Sequence, residues 1–373
     1  MKNKITLNEL FSGIGSQRKA LLNIGYDVDV IGISEIDKYA IKSYEAIFGK
    51  TRNYGDISKV NKLDYADLWT YSFPCTDISV AGRQEGISHN TRSGLLYQVQ
   101  RLLDVAKKEN TLPKYLLLEN VKNLVGKKFK PQFDEWLKYL EQLGYKNYWQ
   151  VLNAKDYGIP QNRERVFIVS IRNDIDFDYV FPQKEKLKIR LKDVLETNVN
   201  NKFYLSKEKQ RELLNTINNN GQIIDIQIGT SRGRNPDNPS DRTIGGPTKQ
   251  RLEINSQGLS NTITTVQKDN YVIEKLICEQ RYDEGLRFFK NNICGTLRTI
   301  DSCGDKRILE NDINNNFKIR KLTPKECWRL MGFNDEDFEK AQASGISNSQ
   351  LYKQAGNSIV VNVLERIFDN LGV

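Results

Sequence analysis

Four side chains in this sequence combine a reactive type with a position at which a fold could use it. Cys75 stands in 72-SFPCTDIS-79, after an apolar segment and a proline. The flanking Ser72, Pro74, Thr76 and Asp77 are turn formers. They place the thiol at a strand exit, where open α/β sheets bind ligands. There it can act as a nucleophile if positive charge or helix amides lower its pKa from ~8.5; the alternative is an inert core thiol. Glu119 follows the four apolar residues 115-YLLL-118. It is either a solvent-facing strand end or a carboxyl poised by burial. Arg163 and Arg165 flank Glu164 in 158-GIPQNRERVFIV-169. Strand alternation puts both arginines on one face, and the alternative is a charged edge in water.

A second constellation suits a nucleoside-bearing group. The segment 11-FSGIG-15 sits between a strand-like and a helix-like stretch. A Gly-rich strand-to-helix turn lets a ligand approach the backbone and the helix N-terminus; a tight turn that needs positive φ is the plainer reading. Glu35, in 33-ISEID-37, lies about 20 positions after Gly15, where a doubly wound fold places an acid on a ribose hydroxyl pair. Asp56, in 54-YGDIS-58, is a candidate acceptor for an adenine amino group, or an ordinary N-cap. The single histidine, His89, excludes chemistry that needs two, such as that of most zinc hydrolases. The five cysteines are odd in number and form no CxxC pair, so a reduced thiol set is expected, with no disulfide framework and no metal site.

The elements that must position these groups alternate along the first half. Strands are expected at 5–11, 28–33, 66–73, 115–120, 147–152 and 165–171, and helices at 16–25, 37–48, 95–108 and 133–143. Strand–helix alternation of this kind predicts a parallel sheet with helices on both faces. A chain of 373 residues exceeds one ordinary core and predicts two domains. After residue 182 the composition turns to Asn, Gln, Thr, Gly and charge. The stretch 229–251 holds three prolines and four glycines and reads as loop. Helical patterning returns at 323-TPKECWRLMGF-333, with Thr323 as N-cap and Pro324 at the first helical position, and closes the chain at 358–371. The boundaries expected are 1–182 with 345–373 for a catalytic and cofactor-binding domain, and 183–344 for a second domain with its hinge. The net charge of +9 fits a polyanionic partner. No apolar run approaches the ~20 residues of a membrane helix, and no secretory h-region opens the chain, so a cytoplasmic location is expected.

Taken in order, 11-FSGIG-15, 72-SFPCTDISVAG-82, 119-ENV-121, 161-QNRERVFIV-169, 320-RKLTPKECWRLMGF-333 and 354-QAGNSIVVNVLERI-367 resemble the DNA (cytosine-5) methyltransferase family of bacterial or phage type. The resemblance implies a doubly wound, Rossmann-like α/β sheet domain that binds S-adenosylmethionine, and a smaller, mostly β and irregular target-recognition domain. It implies that Cys75 adds to C6 of cytosine and that Glu119 protonates or hydrogen-bonds N3. Arg165 would contact the base oxygen, and Arg163 would support the catalytic loop and phosphate contacts. Phe11, Gly13, Ile14, Gly15, Glu35, Ile36, Asp56, Ile57, Pro74, Leu95, Asn357 and Ile359 match positions that line the cofactor pocket. Asn120 matches a partner that holds the Pro-Cys loop. Thr76, Ser79, Arg83 and Gln84 fall where the family meets DNA, and His89 rides on the same loop. Two positions depart from the pattern: Thr76 stands where many members have Gln, and Ser16 replaces a third glycine.

The activity so implied is methyl transfer to C5 of a flipped-out cytosine in a specific duplex DNA site, through a covalent Cys75–C6 adduct. A monomer serving restriction–modification or phage self-protection is expected, with a cognate restriction endonuclease as a further partner. A tRNA cytosine-5 methyltransferase and a catalytically inactive DNA-binding relative are the alternatives. Candidates for base readout lie around Arg232, Arg234, Arg242, Arg251, Thr262, Thr264, Thr265, Arg298 and Thr299, since arginine pairs with guanine and threonine with thymine methyls or phosphates; for any single one of them a solvated basic loop is the alternative.

Overall fold

The structure, a computed structural model, describes residues 4–74, 78, 86–87, 91–214, 227–238, 240–241, 246–255, 259–265, 270–275, 277–281, 285–289, 306–307 and 317–372. The chain divides into two compact units, Met1–Lys188 with Trp328–Val373, and Ile189–Cys327.

The first unit opens with β1 (Lys4–Leu10), α1 (Ser16–Asn23), β2 (Asp27–Ser34), α2 (Lys38–Phe48), β3 (Leu68–Tyr71), α3 (Leu96–Lys108) and β4 (Tyr115–Val121). It continues through α4 (Lys130–Leu143), β5 (Tyr145–Asn153), the two-residue β6 (Gln161–Asn162) and β7 (Glu164–Arg172). Six strands form one sheet in the order β2-β1-β3-β4-β7-β5. All four residues of β3 and five of the seven in β4 are buried, as strands covered on both faces require. The residues Leu10, Trp69, Tyr71, Leu102, Leu103, Phe133 and Leu140 belong to one buried cluster; each such side chain contributes ~1.5–3 kcal/mol on burial. Asp37 caps α2 by accepting the amides of Tyr39 and Ala40, and Gly144, at φ 100, ends α4.

The sheet corrects the expectation of parallel strands. β2, β1, β3 and β4 pair in parallel, but β7 pairs antiparallel with both β4 and β5. The cause is connection length. A parallel crossover needs a dozen or more residues, usually with a helix, and only 154–163 separates β5 from β7.

The second unit contains α5 (Leu191–Val194), α6 (Lys207–Leu214), β8 (Gln227–Arg234), β9 (Lys249–Asn255), β10 (Ser260–Asn261), β11 (Asn270–Lys275), β12 (Ile277–Arg281), β13 (Gly285–Phe289), β14 (Lys306–Arg307) and β15 (Phe317–Lys321). One antiparallel sheet has the order β15-β11-β8-β9, and a smaller one β13-β12-β14. The core of the first is Leu252, Tyr271, Ile273 and Ile319. The loop expected at 229–251 is corrected at both ends: 229–234 lie in β8 and 249–251 in β9. On β8 the positions opposite Ile254 and Leu252 are Gly229 and Ser231, so that row of the sequence shows no hydrophobic alternation.

The helix α7 (Pro324–Arg329) starts with a reciprocal cap. Thr323 N–H donates to Glu326 Oε2 at 2.7 Å, and Glu326 N–H donates to Thr323 Oγ1 at 3.1 Å. The same carboxylate takes a bidentate pair from the fully buried Arg320 guanidinium at 2.8 and 2.9 Å. The chain then returns to the first unit through α8 (Asp335–Ala343), α9 (Asn348–Asn357) and α10 (Val361–Leu371). α10 buries Val361, Leu364, Ile367, Phe368 and Leu371 along one stripe and packs against α1.

Candidate active site

The turn after β1 is shaped by positive φ at Phe11 (59°), Gly13 (55°) and Gly15 (81°). Its amides at Phe11 and Ser12 both donate to Ser34 O, at 2.8 and 3.4 Å. Glu35 grips the turn from β2: its Oε2 accepts Gly13 N–H at 2.9 Å, and its Oε1 accepts Ile36 and Asp37 N–H, each at 2.8 Å. A carboxylate offers about four lone-pair sites, so Oε2 keeps room for one further donor. Asn53, which sequence reasoning missed, fixes the Glu35 backbone in both directions: Oδ1 accepts Glu35 N–H at 3.2 Å, and Nδ2 donates to Glu35 O at 3.0 Å. Ile36 is 73% exposed beside it. Asp56 caps the short turn Ile57–Lys59 by accepting Ser58 N–H at 3.0 Å and Ser58 Oγ–H at 2.7 Å; these two bonds hold its carboxyl below the usual range. Ile57 is buried, and the Arg101 guanidinium on α3 holds the turn through the carbonyls of Ile57 (3.1 Å) and Val60 (2.7 Å).

The end of α9 is tied to this region through α2. Lys353 pairs with Asp37 at 2.7 Å, Gln354 Nε2 donates to Tyr39 O at 2.9 Å, and Ser43 Oγ donates to Gln354 Oε1 at 3.1 Å. Asn357 is exposed at the helix end and Ile359 is buried just past it. Ile14 is buried, and Leu95 and Pro74 are half-buried.

At the end of β4, Glu119 is only 8% exposed, and its Oε1 lies 3.1 Å from Arg165 Nε. Pairing in the sheet sets Arg165 opposite Val121. The backbone on both sides of Cys75 is pinned by side chains: Asn120 Nδ2 donates to Phe73 O at 3.0 Å, Ser93 Oγ to Pro74 O at 2.7 Å, and Asn123 Nδ2 to Ile78 O at 2.6 Å. Ser93 and Asn123 were not singled out from the sequence. Cys75, Thr76, Ser79, Arg83, Gln84 and His89 themselves lie outside the described residues. Arg163, grouped with Arg165 from the sequence, is placed elsewhere. It is buried, and its guanidinium donates to Gly356 O at 3.0 Å and Ser358 O at 2.8 Å. It braces the end of α9 and the residue just past it.

The family model for C-5 cytosine-specific DNA methylases matches residues 5–372. The chain belongs to this family. An orphan methyltransferase of Bacillus phage SPbeta, M.SPBetaI, is 35% identical, covering 99% of this chain and 98% of its own length. A type II methyltransferase of Lactococcus lactis subsp. cremoris, M2.ScrFI, is also 35% identical, covering 97% and 98%. Among solved structures, the Dnmt2 methyltransferase of S. pombe superposes with TM-score 0.63 at 20% identity, covering 99% of this chain and 98% of that one. This C-5 cytosine-specific DNA methylase is thus a DNA (cytosine-5-)-methyltransferase on the fold of S-adenosylmethionine-dependent enzymes. Among the described residues no helix is long and apolar enough to cross a membrane.

The residues of the methylase fit the cofactor its family uses. Ile36 and Phe11 offer apolar surface, and Glu35 keeps one acceptor site. The hydroxyls of Ser12 and Ser72, beyond the carboxyl ends of the adjacent strands β1 and β3, are buried without a partner among the described residues. In the second unit, Arg234 is engaged by Glu253, at 2.5 Å from Nε and 2.8 Å from Nη2, whereas Arg232 is 42% exposed and 3.9 Å from the same carboxylate. Arg251 stands opposite Arg232 on β9. Thr262 and Thr264 are half-buried and Thr265 is exposed. Arg242, Arg298 and Thr299 lie outside the described residues.

Proposed function

We propose that this methyltransferase modifies a cytosine flipped out of a specific duplex DNA site, by way of a covalent bond between Cys75 and C6. The observation that carries the reading is the buried Glu119 paired with a half-buried Arg165, beside a Phe73–Pro74 backbone held by Asn120 and Ser93. Duplex pairing hides the Watson–Crick edge of cytosine, so the base must leave the stack, at a cost of a few kcal/mol. Glu119 then meets N3, donating a proton or hydrogen bond that draws electrons from the ring. Arg165 orients that carboxyl and faces the base oxygen. The Cys75 thiolate adds to C6, the S–C6 bond forms, and the C5–C6 π pair moves to C5. When bound, S-adenosylmethionine would supply an electrophilic methyl group on its sulfonium for that carbon and leave as S-adenosylhomocysteine. Loss of the C5 proton and expulsion of the thiolate restore the aromatic ring.

Glu35, Ile36, Asp56, Ile57 and the Phe11–Gly15 turn hold the cofactor in this reading, with Pro74, Leu95, Asn357 and Ile359 completing its surroundings. The Ile189–Cys327 unit reads the target, with Arg232 and Arg251 as base or phosphate contacts. The protein acts as a cytoplasmic monomer. Its relatives include orphan phage and type II enzymes, which supports a role in self-protection of phage DNA or in a restriction–modification pair with a cognate endonuclease.

The test is incubation with duplex DNA carrying 5-fluorocytosine at the target and S-adenosylmethionine. Fluorine blocks the elimination step, so the intact mass should rise by one DNA strand, and Cys75→Ser should abolish the adduct. An unmodified mass with methylation-competent wild-type protein would refute the covalent route.

A further inference from the structure

Glu9 is the next-to-last residue of β1, two positions before the cofactor turn, and it is fully buried. Its Oε1 accepts the Arg18 backbone N–H at 3.0 Å, and its Oε2 accepts Tyr44 Oη–H at 2.5 Å. The first bond fills a structural vacancy. α1 begins at Ser16, its N-cap is Gly15, and no side chain caps it from that position. Arg18 is the third residue of the helix, the place whose amide an N-cap side chain ordinarily satisfies. Glu9 does this from across the turn, with its negative charge at the positive end of the helix. The second bond fixes Tyr44 on α2. The Tyr44 ring lies so close to Gly15 that a Cβ there would stand 2.7 Å from Tyr44 Cε2. The two oxygens of Glu9 therefore hold the far end of the turn from beneath, while Glu35 holds Gly13 from above.

We propose that Glu9 is a positioning residue for the cofactor turn: its buried carboxylate, through Arg18 N–H and Tyr44 Oη, keeps Phe11–Gly15 in the shape that receives S-adenosylmethionine. This rests on the cofactor reading given above. Both oxygens act as acceptors, so protonation weakens one of the bonds or turns it around. Burial pushes the Glu9 carboxyl up to about 7 from its ordinary 4.5, against the lowering effects of Tyr44 and of the Arg18 amide and charge. The groups facing it are Arg18 on α1 and Tyr44 on α2, with Thr70 of β3 opposite in register. Tyr44 stays protonated at neutral pH, since burial and Glu9 both raise it well above its ordinary value. Because the folded pKa is the higher one, the stability Glu9 contributes is full below about 4.5 and is lost as pH rises through about 7. The fold carries the ionised form at a cost to its own stability, the pattern expected of a group kept for a task.

The test is calorimetric binding of S-adenosylhomocysteine to the full chain between pH 6 and 8. Wild type should bind about tenfold more weakly at the acid end, the factor for losing one charge-assisted hydrogen bond, with an inflection near 7. Glu9→Gln should bind weakly with a flat profile, and its Arg18 amide should exchange faster with deuterium. Tyr44→Phe, which keeps the ring packing and removes one donor, should move the inflection to higher pH. A flat wild-type profile, or the same inflection in Glu9→Gln, would overturn the proposal. Wild type that fails to bind at pH 8 would overturn the cofactor reading itself, and this inference with it.

Discussion

Two glycines of one turn should respond very differently to the same added methyl group. Gly13 and Gly15 both have positive φ, 55° and 81°. A Cβ at either position costs ~1–2 kcal/mol in left-handed strain. At Gly13 that Cβ meets nothing within 4 Å, whereas at Gly15 it would stand 2.6 Å from Phe48 Cε2 and 2.7 and 2.9 Å from Tyr44 Cε2 and Cδ2. Those distances demand movement. Tyr44 is fully buried and tied to Glu9, so it cannot swing away without breaking that bond. Overpacking of this kind adds ~1–3 kcal/mol. Gly15→Ala should therefore destabilise by ~2–5 kcal/mol and Gly13→Ala by ~1–2 kcal/mol. Urea unfolding followed by tryptophan fluorescence is the assay, because Trp69, Trp136, Trp149 and Trp328 all lie in the unit that holds the turn. Equal losses in the two variants would show that the Tyr44–Phe48 wall yields freely, and the account of how the turn is held would fail with it.

Two other consequences follow from charge placement. Arg165→Met should lower methyl transfer by ~10²-fold or more while leaving S-adenosylhomocysteine affinity within twofold, since Arg165 reaches Glu119 and not the cofactor turn; a parallel loss of affinity in calorimetry would contradict that division. Asp67 accepts bonds from Thr6 and Lys114, which outweigh burial and lower its carboxyl to about 2 from 3.8. Its contribution to stability should be present above 3.8 and lost as pH falls through about 2, so Asp67→Asn should flatten the acid limb of a pH–melting curve.

The Glu119–Arg165 pair was legible because each member breaks a local rule. A glutamate after four apolar residues and an arginine pair leading into an apolar strand are out of place unless the strand end is used. What stayed hidden was carried by bonds that leave no periodic trace. Asn53, Ser93, Asn123 and Arg101 act by reaching backbone carbonyls or amides of other segments. Their types and spacing are those of any surface residue. Strand direction was hidden for a different reason: hydrophobic pattern is indifferent to it, and only the short 154–163 connection betrays the antiparallel β7. β8 sets glycine and serine opposite the apolar positions of β9, so its sequence shows no hydrophobic alternation.

Three glutamates at strand ends show where sequence reading must stop. Glu9, Glu35 and Glu119 stand at or just past the carboxyl ends of β1, β2 and β4, and any of them passes for a ligand-binding acid. What separates them is how their lone pairs are spent. Glu9 gives one oxygen to a helix amide and one to a tyrosine deep inside, so it can act only through what it holds. Glu35 spends three sites on backbone amides and keeps one, so it both builds the turn and can receive a donor from outside. Glu119 meets an arginine rather than backbone amides, and a side-chain partner can follow the carboxyl as a base arrives. In the proposed mechanism the same residue type at the same kind of position serves as brace, cradle and reagent. How those lone pairs are spent is set by donor geometry, which only the folded chain supplies.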